Sequence, residues 1–146
     1  MEYQIGRPGR IVAARLYEGE ELYESIESLA HEEAIQRAAV FITGGLRRSN
    51  IVVGPTQEQP RIEPDFQEFI GPGEVLGVGT LYPDDKGPKL HMHVGIGSAE
   101  RVIVGCPRPE TTCFLILEVT IIEMLGITGF RRPDDATGFN LLSLNP

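Results

Sequence analysis

The chain has only two cysteines, Cys106 and Cys113. Two are too few for a disulfide framework. They suit a reducing compartment, where thiols stay available for metal or redox chemistry. Long apolar runs are also missing. The longest, Cys113 to Leu117, stops at Glu118, well short of the roughly 18–20 residues a membrane helix needs. The opening MEYQIGRPGR has no apolar h-region, so no secretory signal is read there. These absences predict a soluble, cytoplasmic protein with no membrane partner. Positive charge is scarce too: 13 Lys and Arg stand against 21 Asp and Glu, a formal net charge of -8. An acidic body repels phosphate backbones and loses the counterion release that dominates nucleic-acid affinity. A local basic patch would have to carry DNA binding. Arg47–Arg48 and Arg131–Arg132 are the only arginine pairs. Solvated loop charge is the simpler reading of both, with Arg47 and Arg48 kept as candidate anion or nucleic-acid contacts. There is no P-loop and no nucleophile elbow. Gly77-x-Gly79 lacks the rest of a dinucleotide fingerprint.

What is present fits one domain over residues 1–146, with 41% hydrophobic residues to fill one core. Ile11 to Tyr17 reads as a first strand. Glu18 to Glu21 breaks it and places acid at a helix start, where the macrodipole favours it. Leu22, Ile26, Leu29 and Ala30 recur at helical spacing, predicting a helix that ends near Ala34. Ala38 to Thr43 reads as a strand closed by Gly44–Gly45, and Ser49 to Val53 as another. Pro55, Pro60, Pro64 and Pro72 mark Pro55 to Pro72 as a surface excursion, with at most a short strand around Phe66 to Ile70. Gly73 to Tyr82 is a glycine-rich strand. Gly77 and Gly79 leave one of its faces bare, as if something packs close to the backbone. Leu90 to Ile96, Arg101 to Val104, Thr112 to Met124 and Phe139 to Leu144 complete the strands. Gly105 to Pro109 reads as an irregular corner. Many strands and one main helix predict an α+β fold with a largely antiparallel sheet.

The long strand carries an assembly argument. Cys113, Leu115, Leu117, Val119 and Ile121 fall on one face, and Phe114, Ile116, Glu118, Thr120, Ile122 and Met124 on the other, which is mostly apolar with a polar centre. A strand apolar on both faces is covered on both faces. One helix cannot cover both, so the chain is expected to be an obligate oligomer.

The segment KLHMHVGIG, Lys89 to Gly97, places His91 and His93 on one face of a strand, about 6.5–7 Å apart at Cα. Leu90, Met92, Val94 and Ile96 form the opposite, core-like face. A hairpin return after Gly97–Ser98 brings Cys106 back alongside the histidines. Two imidazoles and a thiolate suit zinc, with a fourth position open. The competing reading makes the histidines hydrogen-bonders in a subunit interface and Cys106 a small buried hydrophobe. The pattern alone does not choose between them. Glu118 and Glu74 are candidates for supporting carboxylates or bases, with interface hydrogen bonding the plainer role for Glu118. His31 reads as a solvated histidine and Cys113 as core.

The order of motifs resembles the plants-and-prokaryotes conserved (PPC) domain in its stand-alone prokaryotic form. The matching pieces are EGEELYESIESLA, AAVFITGGLRRSNIVVG, GEVLGVGTL, LHMHVGIG, the VGC corner, FLILEVTIIEML and FRRPDDATGFNLLSL. The resemblance implies a PPC-like α+β fold assembled as a homotrimer and a predicted DNA-binding role. It also implies, for some members, a metal held by the L-H-x-H histidines and a following G-G-H corner. His91 and His93 match the pair. The corner here is Val104–Gly105–Cys106, which exchanges one metal ligand for another and makes the site more zinc-like. The arginine-glycine-arginine-proline core of an AT-hook is absent, since Ile5 precedes Gly6–Arg7–Pro8. Three functions follow as expectations: a trimeric zinc-binding module with a regulatory or DNA-associated role, a zinc hydrolase or hydratase acting on a small molecule, or a metal-locked structural trimer.

Overall fold

The computed structural model describes residues 1–58 and 61–145. The elements, in order, are β1 (Arg7–Tyr17), α1 (Leu22–Glu32), β2 (Ala38–Gln57), β3 (Glu63–Asp84), β4 (Gly87–Gly97), β5 (Val102–Pro107), β6 (Thr112–Leu125), β7 (Phe130–Pro133) and β8 (Asn140–Ser143). The main sheet runs β1-β6-β2-β3-β4-β5, and every pairing is antiparallel. This is the α+β class that the strand and helix pattern predicts.

The sheet also closes on itself. The first half of β2 lies between β3 and β6, with Ala38 opposite Leu81 and Glu123. Beyond Arg48, β6 leaves and β5 takes its place, with Ile51 opposite Pro107 and Val52 opposite Cys106. Strands β2, β3, β4 and β5 therefore form a ring. Ile42, Leu46, Ile51, Phe69, Leu81, Met92 and Ile96 are buried in the core.

α1 forms where the apolar spacing predicts it, burying Leu22, Tyr23, Ile26 and Ala30. The Glu21 carboxylate caps its start by accepting from Glu24 N. The helix ends at Glu32, two residues before the expected end. Ala34 then adopts φ 56°, and Ile35 N donates to Ala30 O, the closing bond of a Schellman turn.

Three sequence expectations are corrected. Gly44–Gly45 does not end a strand, because β2 runs through it. A Cβ on Gly44 would collide with Ile116 O, and one on Gly45 would lie 2.6 Å from Phe114 O. The glycines let β6 press against β2 at a bulge, where the register shifts from Gly44↔Leu117 to Gly45↔Phe114. That bulge also removes one residue from the side count of β6, in which Cys113, Leu117, Val119 and Ile121 are buried as read. Leu115, expected on the core face, takes φ 58° and is 67% exposed. Second, Pro55 to Pro72 is mostly strand. β2 and β3 pair out to Gln57↔Glu63. Pro55 and Pro64 face each other among register shifts, where two missing donors cancel, and Pro72 lies in the shift opposite Leu46/Arg48. Pro60 is outside the described residues. Third, the Gly105 corner is part of β5, pressed so close to β2 that a Cβ on Gly105 would meet Val52 O.

β7 and β8 form a separate hairpin. β8 matches the last expected strand. β7 carries no periodic signal in its FRRP sequence.

One face of the main sheet is left open. Ile11, Phe41, Leu76, Val78, Val102 and Val104 are exposed on it. No helix among the described residues is long and apolar enough to cross a membrane.

Candidate metal centre

β4 alternates strictly. Leu90, Met92, Val94 and Ile96 are buried, while His91 and His93 lie on the outer side. The inward packing is tight at Gly79, where a Cβ would lie 2.5 Å from Met92 Cβ and 2.8 Å from His91 O. The bare glycine face of β3 therefore points into the core, where the Ile42, Val94 and Met92 side chains crowd it. Thr80 stands opposite His91, and Val78 opposite His93.

β5 supplies the third donor. Val94 pairs with Gly105, so Cys106 lies one residue on, beside His93 and on the outer side. The ligand atoms of His91, His93 and Cys106 all lie within 4.8 Å of one another. The imidazoles are edge-on, with centroids 5.3 Å apart and planes at 87°. A tetrahedral zinc with bonds of about 2.0–2.3 Å holds its donors roughly 3.3–3.8 Å apart. Small side-chain rotations close the difference, so the donor set fits such an ion. Among the described residues this is the one such cluster of three.

Burial, chiefly, and then the charges of Arg131, His93 and Arg108 push His91 down to about 4. It is neutral at neutral pH, as a metal-binding imidazole must be. Two arginines missed by sequence reasoning flank the cluster. Arg108 Nη1 donates to Cys106 Sγ at 2.7 Å. Its signal was available, because Arg108 follows Cys106 by two residues at the end of a strand. Arg131 comes from β7, where its Nη2 is 3.4 Å from Thr80 Oγ1 and its buried Nε has no partner. The sequence alone reads it as loop charge, and nothing local distinguishes it.

The other predicted residues lie elsewhere. Glu118 is on β6, opposite Arg15 and Thr43, with β2 and β3 between it and β4. Glu74 pairs with Gly97, four residues along β4 from His93. Arg47 is ion-paired with Glu18 and stacked on Phe114 at 4.6 Å. Arg48 pairs with Glu68 at 3.0 Å. His31 is exposed in the last turn of α1, and Cys113 is fully buried.

Beside His91 opens a cleft of about 860 Å³. α1 forms one wall with Tyr23 and Glu27, and the β5 end forms another with Pro107 and Arg108. The Tyr23 hydroxyl donates to Pro107 O, tying α1 to the strand that carries Cys106.

Residues 3–125 match the family described as the Plants and Prokaryotes Conserved (PCC) domain. The chain belongs to the PCC domain family. The family resemblance read in the sequence therefore holds. Solved structures agree with this PCC fold. A metal-containing protein from Archaeoglobus fulgidus is 25% identical, covers 97% of this chain and 98% of its own, and superposes with a TM-score of 0.84. A plant- and prokaryote-conserved protein from Pyrococcus horikoshii is 26% identical, with 98% and 97% coverage and a TM-score of 0.85. A proposed DNA-binding protein from Ralstonia eutropha shares the fold at 17% identity, with 90% and 89% coverage and a TM-score of 0.72. No curated protein matches the sequence.

Proposed function

We propose that this PCC-domain protein is a homotrimeric metal-binding module whose centre is zinc held by His91, His93 and Cys106. The convergence of two imidazoles and a thiol within 4.8 Å carries the reading. A strand-adjacent pair of histidines is common. A third soft donor delivered by a different strand to the same point is not explained by packing. The metal-containing Archaeoglobus fulgidus protein, similar along its whole length, adds support. Zinc with three protein ligands keeps a fourth position for water or an anion.

The trimer rests on the open sheet face. Phe41 stands opposite Val78, and Val78 opposite His93. Phe41 is 42% and Val78 57% exposed. An apolar face of this extent is what a second copy would cover, and homotrimer is the assembly the family resemblance implies. A regulatory role that does not depend on direct DNA contact suits the charge. The net charge is -8, and each arginine of the Arg47–Arg48 pair meets a carboxylate. The hydrolase alternative lacks support from Glu118 and Glu74, which the register separates from the donors.

Metal analysis of untagged protein tests the reading. One zinc per chain is expected in the unaltered protein, with Cys106→Ala and His93→Ala each losing most of it. Sub-stoichiometric metal in the unaltered protein refutes it. A metal-lock role would add loss of the trimer on chelation. DNA retention at low salt that falls steeply with salt would restore direct DNA binding.

A further inference from the structure

Two guanidiniums stand beside the proposed centre without a carboxylate to neutralise them. The ion pairs among the described residues involve Arg10, Arg47, Arg48 and Lys89, and neither Arg108 nor Arg131. Arg108 turns one amino group to the Cys106 sulfur and lines the cleft. Among the described residues Arg131 is anchored by a long contact to Thr80, the residue opposite His91, and its buried Nε is unsatisfied. An unsatisfied buried donor is costly unless a ligand or water completes it.

Of the four carboxylates that line the cleft, two are already committed. Glu27 accepts from Lys89 Nζ at 2.6 Å and from Leu90 N at 3.0 Å. Glu21 accepts from Glu24 N and Thr111 N. Glu24 and Glu110 are exposed. Phe66 and Phe139, from the β2–β3 and β7–β8 hairpins, line the same space and are 51% and 37% exposed. Exposed aromatics converging on a cleft with a few charged groups are the usual makings of a small-molecule site.

We propose that Arg108, which lines the cleft, and Arg131, which stands at Thr80 opposite His91 just outside the cleft lining, form an anion clamp on either side of the His91–His93–Cys106 centre, and that the cleft takes a small carboxylate with an aromatic or apolar tail. This rests on the metal reading above. The guanidinium forks match a carboxylate in shape and charge. Phe66 and Phe139 receive the tail. Pro107, bonded to Tyr23, fixes the floor between head and tail.

The test uses the full chain loaded with cobalt(II), whose visible spectrum reports changes at the metal. Benzoate is the probe, acetate the tail-less comparison and benzamide the uncharged one. Benzoate should shift the spectrum saturably and bind more tightly than acetate, with benzamide silent. Arg108→Gln and Arg131→Gln should each weaken benzoate about tenfold, the scale of one charge-assisted hydrogen bond. Phe139→Ala should narrow the gap between benzoate and acetate. Cobalt content and melting curves of the variants are measured first, and Arg131→Lys, which keeps charge but loses the fork, serves where Arg131→Gln lowers either. Full cobalt loading with no benzoate response, or equal binding of benzamide, overturns the clamp and leaves the metal centre standing. Failure to load cobalt at all overturns both.

Discussion

Gly79→Ala tests whether the tight contact between β3 and β4 is what positions the two histidines. The added methyl would lie 2.5 Å from Met92 Cβ, 2.8 Å from His91 O and 3.1 Å from Met92 Cα. Two of those three atoms are backbone, so rotamer changes cannot relieve the contact. β4 must move away from β3 between His91 and His93. Overpacking of this kind costs about 1–3 kcal/mol. For a domain of this size that lowers Tm by roughly 3–10 °C. Gly97→Ala is the control. It lies at the end of β4, opposite Glu74 of β3, with nothing within 4 Å of an added Cβ, and should leave Tm unchanged or slightly raised. Thermal melts by circular dichroism, at one protein concentration and without metal, give the comparison. Zinc affinity measured by chelator competition should then fall in Gly79→Ala and not in Gly97→Ala. Equal Tm and equal zinc affinity in the two variants would refute the argument that close packing of β4 builds the site.

Other expectations can be checked independently. Ala34→Gly should stabilise the fold by about 1 kcal/mol, since Ala34 sits at φ 56° where glycine carries no Cβ penalty; chemical denaturation reads this directly. Hydrogen bonds from Arg10 hold the Glu123 carboxyl below the usual carboxylate range. The stability this gives is full above that range and lost as pH falls through the lowered value. Arg10→Gln should therefore raise the Glu123 pKa in an NMR titration and begin acid destabilisation at a higher pH. Val78→Glu should reduce the proposed trimer to monomers by light scattering while leaving the monomer folded, because Val78 is exposed in the single chain and an unpaired carboxylate in an interface is costly. An unchanged mass would move the interface to another face.

Much of the fold was legible because its signals are local. The period of Leu22, Ile26 and Ala30 marks α1, and the alternation from Leu90 to Ile96 marks β4. The His91–His93–Cys106 cluster was legible for a related reason. His91 and His93 share a face by strand period, and a hairpin return brings Cys106 back to them. The prolines of the β2–β3 hairpin misled because proline in isolation signals a break. Paired across a hairpin, Pro55 and Pro64 have no donors to waste. Leu115 misled because the β2–β6 pairing skips Leu115 and Ile116 at the bulge, which turns Leu115 outward while Cys113 and Leu117 stay in the core.

The sequence by itself determined the class of fold, the inward and outward faces of β4 and the chemistry of the three donors, since each depends on residue type and short-range spacing. Only the tertiary structure decided that β2 exchanges β6 for β5, that Gly79 lets β4 close on β3, and that Arg131 comes from a separate hairpin to Thr80, opposite His91. Those outcomes depend on which distant backbones approach each other, and no periodicity within a single segment encodes that approach.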